Sequence, residues 1–145
     1  MLKKILTEDL VALDVTGLTT PEDVIRYSGQ LLVKAGKVQP SYVEKMLDAF
    51  HSLGPYIVMG PGIAMPHAHA GGDVSHPGIS FVRLKEPVVF GHPENDPVVL
   101  VFALAGKEHD DHIDILQSLS ELLGDEEKQK ALTLVADYQE LCKLF

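Results

Sequence analysis

Residues 96–106 read "DPVVLVFALAG", an apolar run of strand length entered through proline and left through glycine. A half-exposed strand alternates apolar with polar residues, whereas a run without alternation needs apolar neighbours on both faces. The stretch therefore predicts the middle strand of a sheet covered by helices on two sides.

Upstream of it, "GISFVRLKEPVVF" (78–90) alternates in part and breaks at Pro87. It predicts a strand over 79–85 and a short extended piece over 88–90, as a hairpin or an edge. "YIVM" (56–59), β-branched and aromatic and bounded by Pro and Gly, predicts another strand. Two helices precede it. The first, over about 21–35, opens with Thr20 as N-cap, Pro21 at its first position and Glu22 and Asp23 in its first turn. Its stripe is Val24, Ile25, Leu31, Leu32 and Ala35, and Gly36 is placed to end it in a left-handed conformation. The second, over about 40–52, repeats Val43, Met46, Leu47 and Phe50 and closes at Gly54 and Pro55.

Downstream, "DDHIDILQSLSELLG" returns to a helical period through Ile113, Leu116, Leu119, Leu122 and Leu123. A cap near Asp110 or Asp111 and a stop at Gly124 bound that helix. "DEEKQKALTLVAD" and "DYQELCKLF" predict two short terminal helices, the second starting from an Asp137 cap. The order predicts a three-layer α/β/α sandwich with a mixed, mainly parallel sheet of four to five strands flanked by helices. Neither a repeat nor a Gly/Ser/Pro-rich linker divides the chain, so a single domain over 1–145 is expected.

Composition narrows the function. Twelve Lys and Arg against 21 Asp and Glu give a net charge of −9, with no basic run of the kind that follows a phosphate backbone or an anionic membrane. Nucleic acid is a poor partner for such a chain. Apolar runs fall well short of the roughly 20 residues that cross a bilayer. "MLKKILTEDL" meets Glu8 and Asp9 before the apolar region of a signal peptide can form, so membrane insertion is not expected and a cytoplasmic location is. The one cysteine, Cys142, can close no internal disulfide and reads as a small apolar residue on the last helix.

The chemistry concentrates in "GPGIAMPHAHAGG" (60–72). Of seven histidines, His51, His76 and His92 carry no surrounding signal. His67 follows Pro66, which has a fixed φ and biases Met65 to an extended backbone, while the flanking glycines allow tight turns and close approach. An imidazole held there serves as base, ligand or nucleophile near neutral pH. Three uses compete. His67 and His69, with His109, His112 and nearby aspartates, would suit a zinc or iron site. Acid–base hydrolysis is less suited, because no G-x-S-x-G and no cysteine lies beside a histidine. A histidine that accepts and passes on a phosphoryl group needs neither a Walker loop nor a dedicated Mg²⁺ cage, and the chain has no such motif. It does need donors for the phosphoryl oxygens, and His112, in the first turn of the predicted 110–123 helix, lies where N–H groups converge.

"GPYIVMGPGIAMPHAHA" resembles the active-site segment of enzyme IIA of the bacterial phosphoenolpyruvate-dependent sugar phosphotransferase system, in its mannitol/fructose (type 2) superfamily. Gly62-Ile63-Ala64-Met65-Pro66-His67 matches the hallmark, and "GPY" with the later "HPENDPV" looks most like the ascorbate-specific branch. The similarity covers about residues 5–145. It implies a mixed sheet flanked by helices, and His67 as the phosphorylated residue through Nε2. Phosphate would come from the phosphocarrier HPr and go to a cysteine of a IIB component, with the IIC permease engaged indirectly. His112-Ile113 followed by "DILQSL" matches the second active-site histidine, which would stabilise the phosphoryl group, with His109 in reserve. The resemblance implies no cofactor and no metal, and leaves homodimerisation open. Mannitol-type members tend to carry an arginine ahead of the motif, and this chain has none between Arg26 and Arg83. The sugar, ascorbate or a related one, therefore stays open.

The acidity suits a courier between proteins, since the usual donor offers a basic, partly apolar face to acids around the acceptor. Asp73, Asp110, Asp111 and Asp114 are candidates for that ring. Two other readings stand beside the transport component: a IIA-like regulatory phosphoprotein of the nitrogen type, with the same chemistry and other partners, and an unrelated histidine-ligated metal protein.

Overall fold

The computed structural model describes residues 2–69 and 71–145. In chain order the elements are α1 (Leu2–Ile5), β1 (Val11–Val15), α2 (Pro21–Lys34), α3 (Pro40–Leu53), β2 (Val58–Gly60), β3 (Ile63–Ala64), β4 (Gly78–Val88), β5 (Val98–Ala105), α4 (His109–Leu123), α5 (Glu126–Leu132) and α6 (Tyr138–Cys142). The strands form one sheet in the order β1-β4-β5-β3-β2, so the unbroken apolar run 98–105 is its centre, as expected.

The sheet is mixed and has five strands. Its β1/β4 and β3/β5 ladders are parallel, and β4/β5 and β2/β3 antiparallel, so it divides evenly rather than leaning parallel. Phe81 and Phe102 face each other across β4 and β5 with stacked rings 4.8 Å apart. Alternation along β4 assigns the two faces. Ser80 donates from Oγ to the Ser28 carbonyl of α2 at 2.9 Å, while Arg83, of opposite parity, reaches the Leu132 and Val135 carbonyls at the end of α5. Helices α2 and α3 thus pack over one face and α5, with α4 and α1, over the other, in three layers. Tyr138 of α6 ties in by donating to the Leu6 carbonyl at 2.8 Å.

The helix starts follow their chemistry. Thr20 accepts from the Asp23 N–H at 3.1 Å and Asp23 accepts in return, while Asp125 and Asp137 cap α5 and α6. Gly36, just past α2, has φ +75°.

Three expectations are corrected and one strand is added. The 56–59 strand is a 3₁₀ turn over Pro55–Ile57 followed by β2, because Pro55 sets a turn before any partner is available. β3, two residues long, was not foreseen. Pro87 does not end β4, since it lies in the register shift between Arg83 and Val88 where no ladder hydrogen bond is needed. Helix α4 starts two to three residues earlier than a cap at Asp110 or Asp111 would place it: Glu108 is its N-cap, and Asp111 accepts the Glu108 N–H at 2.9 Å. Its buried face is accordingly Ile115, Leu119 and Leu122, and Ile113 is exposed.

Candidate active site

Strands β3 and β5 run parallel as neighbours, with Ile63 opposite Leu100 and Ala64 opposite Val101. Their carboxyl ends therefore open on one edge of the sheet, the place where an open α/β sheet forms a crevice. The chain reaches that edge on a fixed path. Gly62 turns it at φ +73°, a conformation that disfavours residues with a Cβ, and its carbonyl accepts the Val99 and Leu100 N–H groups at 2.9 and 3.0 Å. The Met65 N–H then donates to the Ile57 carbonyl and the Leu104 N–H to the Pro66 carbonyl, at 2.8 and 2.9 Å. His67 follows at the end of this ladder.

Nδ1 of His67 is 2.6 Å from the Met65 carbonyl oxygen. A carbonyl only accepts, so in the neutral ring Nδ1 carries the proton and Nε2 carries the lone pair. The Tyr56 ring meets the imidazole edge-on at 5.7 Å, and its hydroxyl donates to the His67 carbonyl at 3.4 Å.

His112 comes from the other strand end. β5 passes through Gly106 into α4, and a Cβ on Gly106 would lie 3.0–3.2 Å from the N, Cβ and Cα of His112. Only a residue without a side chain lets the helix start approach this closely. The His112 ring then sits 5.2 Å from that of His67, tilted by 51°. Burial, and after it the neighbouring His67, His109 and His69, hold His112 below its ordinary pKa of 6.5.

The two imidazoles open into a cleft of about 590 Å³ that His69 and His109 also line. The structure thus brings together His67, His69, His109 and His112, with His112 in ring contact with His67. His51 instead pairs with Glu22, and His92 accepts the Glu94 and Asn95 N–H groups in its own loop. Among the described residues no three His, Cys, Asp or Glu side chains are placed to share a metal ion.

A family model described as "Phosphoenolpyruvate-dependent sugar phosphotransferase system, EIIA 2" matches residues 4–145. The chain belongs to this family. As an EIIA-family chain it is 35% identical over 126 residues to the ascorbate-specific PTS system EIIA component of Shigella boydii, covering 86% of this chain and 82% of that one. The solved mannitol-specific cryptic enzyme IIA CmtB of Escherichia coli superposes with a TM-score of 0.86 at 26% identity, over 99% of this chain and 96% of that one. The enzyme IIA of mannitol from Escherichia coli, solved in complex with phosphorylated enzyme IIB, superposes at 0.84 with 33% identity, over 96% and 95%. These neighbours share the open mixed sheet.

Three residues around this cleft escaped the reading of the sequence. Tyr42 of α3 is fully buried; its hydroxyl donates to the Leu104 carbonyl at 2.6 Å and accepts the Ala68 N–H at 3.1 Å, clamping the segment just past His67 to the end of β5. Burial pushes its phenol up to about 12. Gly106 carried no motif, and Lys45 sat among the polar positions of an amphipathic helix. Tyr42 was legible in principle as the residue beside Val43 that widens the α3 stripe. One expectation is also corrected: Asp73 is not in an exposed acidic ring, because it is buried and paired with Lys45. Asp110 and Asp114 are exposed and Asp111 half-buried at the start of α4.

Proposed function

We propose that this EIIA-family chain is a phosphohistidine carrier in which Nε2 of His67 accepts a phosphoryl group from HPr and yields it to a cysteine of a IIB component. The observation that carries this reading is the 2.6 Å contact of Nδ1 with the Met65 carbonyl, which leaves Nε2 as the nucleophilic nitrogen without any base to activate it. In the forward step the Nε2 lone pair attacks phosphorus; the P–N bond to His67 forms as that to the donor imidazole breaks, its electron pair returning to the donor ring. In the second step a cysteine thiolate forms the P–S bond and the P–N bond to His67 breaks, regenerating the neutral acceptor. Phosphoenolpyruvate pays for neither step here, since the group arrives already on a nitrogen of similar transfer potential.

His112 is the stabilising partner. Its depressed pKa leaves it without a standing positive charge in the resting site. A phosphoryl group on His67 reverses the sign of the neighbouring charge and favours an N–H on His112 that donates to a phosphoryl oxygen. His109, at the first position of α4, lines the same cleft but makes no ring contact with His67.

The ascorbate-specific relative supports ascorbate or a related sugar acid as the transported compound, and the complex of the mannitol IIA with its IIB supports a IIB partner. The setting would be cytoplasmic, feeding a IIC permease through IIB; no helix among the described residues is long and apolar enough to cross a membrane. Incubation with phosphoenolpyruvate, enzyme I and HPr, followed by intact mass and peptide mapping under alkaline conditions, tests the reading. One phosphate mapped to His67 is expected; phosphate elsewhere, or none, would refute it.

A further inference from the structure

Phosphoryl transfer brings close to two negative charges into the cleft. Its wall already carries the carboxylates of Asp48 and Glu108, and the chain as a whole has a net charge of −9. His112, held below its ordinary pKa, is no standing cation at neutral pH. Among the described residues that line the cleft, one lysine or arginine is present, Lys45.

Lys45 is not a loosely solvated side chain. Its Nζ lies 3.0 Å from Oδ2 of Asp73, whose side chain is 8% exposed against 47% for the lysine. Asp73 is fixed in turn: its carbonyl accepts the Gln39 N–H at 2.8 Å, and Ser41 Oγ donates to Oδ2 at 3.4 Å. Burial pushes the Asp73 carboxyl up, but the hydrogen bond and charge of Lys45 outweigh it and hold the group below its ordinary value. The segment past His67 is shaped around this pair. A Cβ on Gly71 would stand 2.8 Å from Lys45 Nζ and 3.4 Å from Asp73 Oδ1.

The pair is a poor device for stability. Oδ1 of Asp73 is fully buried and has no hydrogen-bond partner among the described residues, which costs free energy that an apolar pair of the same volume would avoid. What the arrangement secures is the place of the ammonium on the cleft wall, with donors left over after Asp73 takes one.

We propose that Lys45 is the cation that contacts the phosphoryl group carried on His67, and that Asp73 is its positioning residue. The inference rests on His67 as the acceptor. The ammonium donates to a non-bridging phosphoryl oxygen and offsets negative charge that Asp48 and Glu108 would otherwise repel, while Asp73 keeps it aimed; the bonds made and broken are those given above.

The test uses the full chain, phosphorylated by HPr and then freed of it, so that partner docking plays no part. ³¹P NMR follows the ionisation of the phosphoryl group with pH. Removing a nearby cation makes the dianion harder to form, so Lys45→Met is expected to raise the midpoint by about one pH unit. Lys45→Arg should restore it, and Asp73→Asn should shift it part of the way. Phosphorylation by HPr should slow roughly tenfold in Lys45→Met. Because that variant leaves a buried carboxylate unpaired, the double variant Lys45→Met/Asp73→Asn is measured beside it and should show the same raised midpoint. An unchanged midpoint in either folded variant, or a raised one that Lys45→Arg fails to restore, would overturn the role of Lys45. A wild-type chain that takes no phosphate at His67 would instead remove the acceptor assignment before any variant is made.

Discussion

Two polar clusters sit against the sheet, and they treat their hydrogen-bonding capacity in opposite ways. Beyond β1 and β4, Arg83 donates from all three of its side-chain nitrogens. Nε and Nη2 donate to the two Asp14 oxygens at 3.0 and 3.1 Å, and Nη1 donates to the Leu132 and Val135 carbonyls at 3.2 and 2.8 Å. Asp14 stands at φ +55°, a left-handed conformation for a residue with a Cβ, and the guanidinium holds it there and lowers its carboxyl pKa. At the carboxyl ends of β3 and β5 capacity is left open: among the described residues, Nε2 of His67 has no hydrogen-bond partner, Lys45 donates only to Asp73, and Asp73 Oδ1 is bare. Saturation marks a cluster that fastens secondary structure together. Spare capacity around a fixed nucleophile marks one that waits for another molecule.

Breaking each cluster should therefore fail in a different way. His67→Ala is expected to abolish phosphoryl acceptance altogether while the urea unfolding midpoint stays near wild type. Arg83→Met should do the reverse. It strands two buried carbonyls and releases Asp14, at a cost of about 2–3 kcal/mol in urea unfolding, yet the chain that remains folded should still take phosphate on His67. Equal loss of acceptance in both variants would erase the distinction between the clusters.

How much of this was legible depended on how long the signal was. The run 98–105 announced the central strand because eight residues without a polar interruption fit one environment only. β3 was invisible because two residues between a glycine turn and a proline have no period; its identity comes from pairing with β5. The buried face of α4 slipped from Ile113 to Ile115 because both fit a helical stripe, and only packing chooses between them. Of the site, His67 was marked by Pro66 and the glycines around it, and His112 by its place at a helix start. Tyr42 and Lys45 come from α3, distant in sequence, and their pairing with residues 68 and 73 exists only after the chain has folded back.

The open cluster can be sharpened by smaller changes. Gly106→Ala places a methyl 3.0 Å from the His112 nitrogen, so the start of α4 must shift and the 5.2 Å ring contact must lengthen. Stopped-flow transfer from HPr should slow about tenfold, with the phosphate still on His67. Wild-type rates would show that the ring contact is incidental.

The smallest effect concerns pH. Because the folded-state pKa of His112 lies below the unfolded value near 6.5, the unfolded chain binds the proton first. Stability on this account is full above that pH and erodes as pH falls below it, and the ring-proton titration of His112 by NMR should have its midpoint below 6.5. Phosphorylation of His67 should move that midpoint upward. A midpoint unmoved by phosphorylation would deny His112 any contact with the phosphoryl group.

The most direct test is NMR of the phosphorylated chain with ¹⁵N-labelled histidine, reading which ring nitrogen is bonded to phosphorus. The account predicts one phosphorus on Nε2 of His67, with the proton on Nδ1 still held by the Met65 carbonyl. Phosphorus on Nδ1, or on any other imidazole, would contradict it.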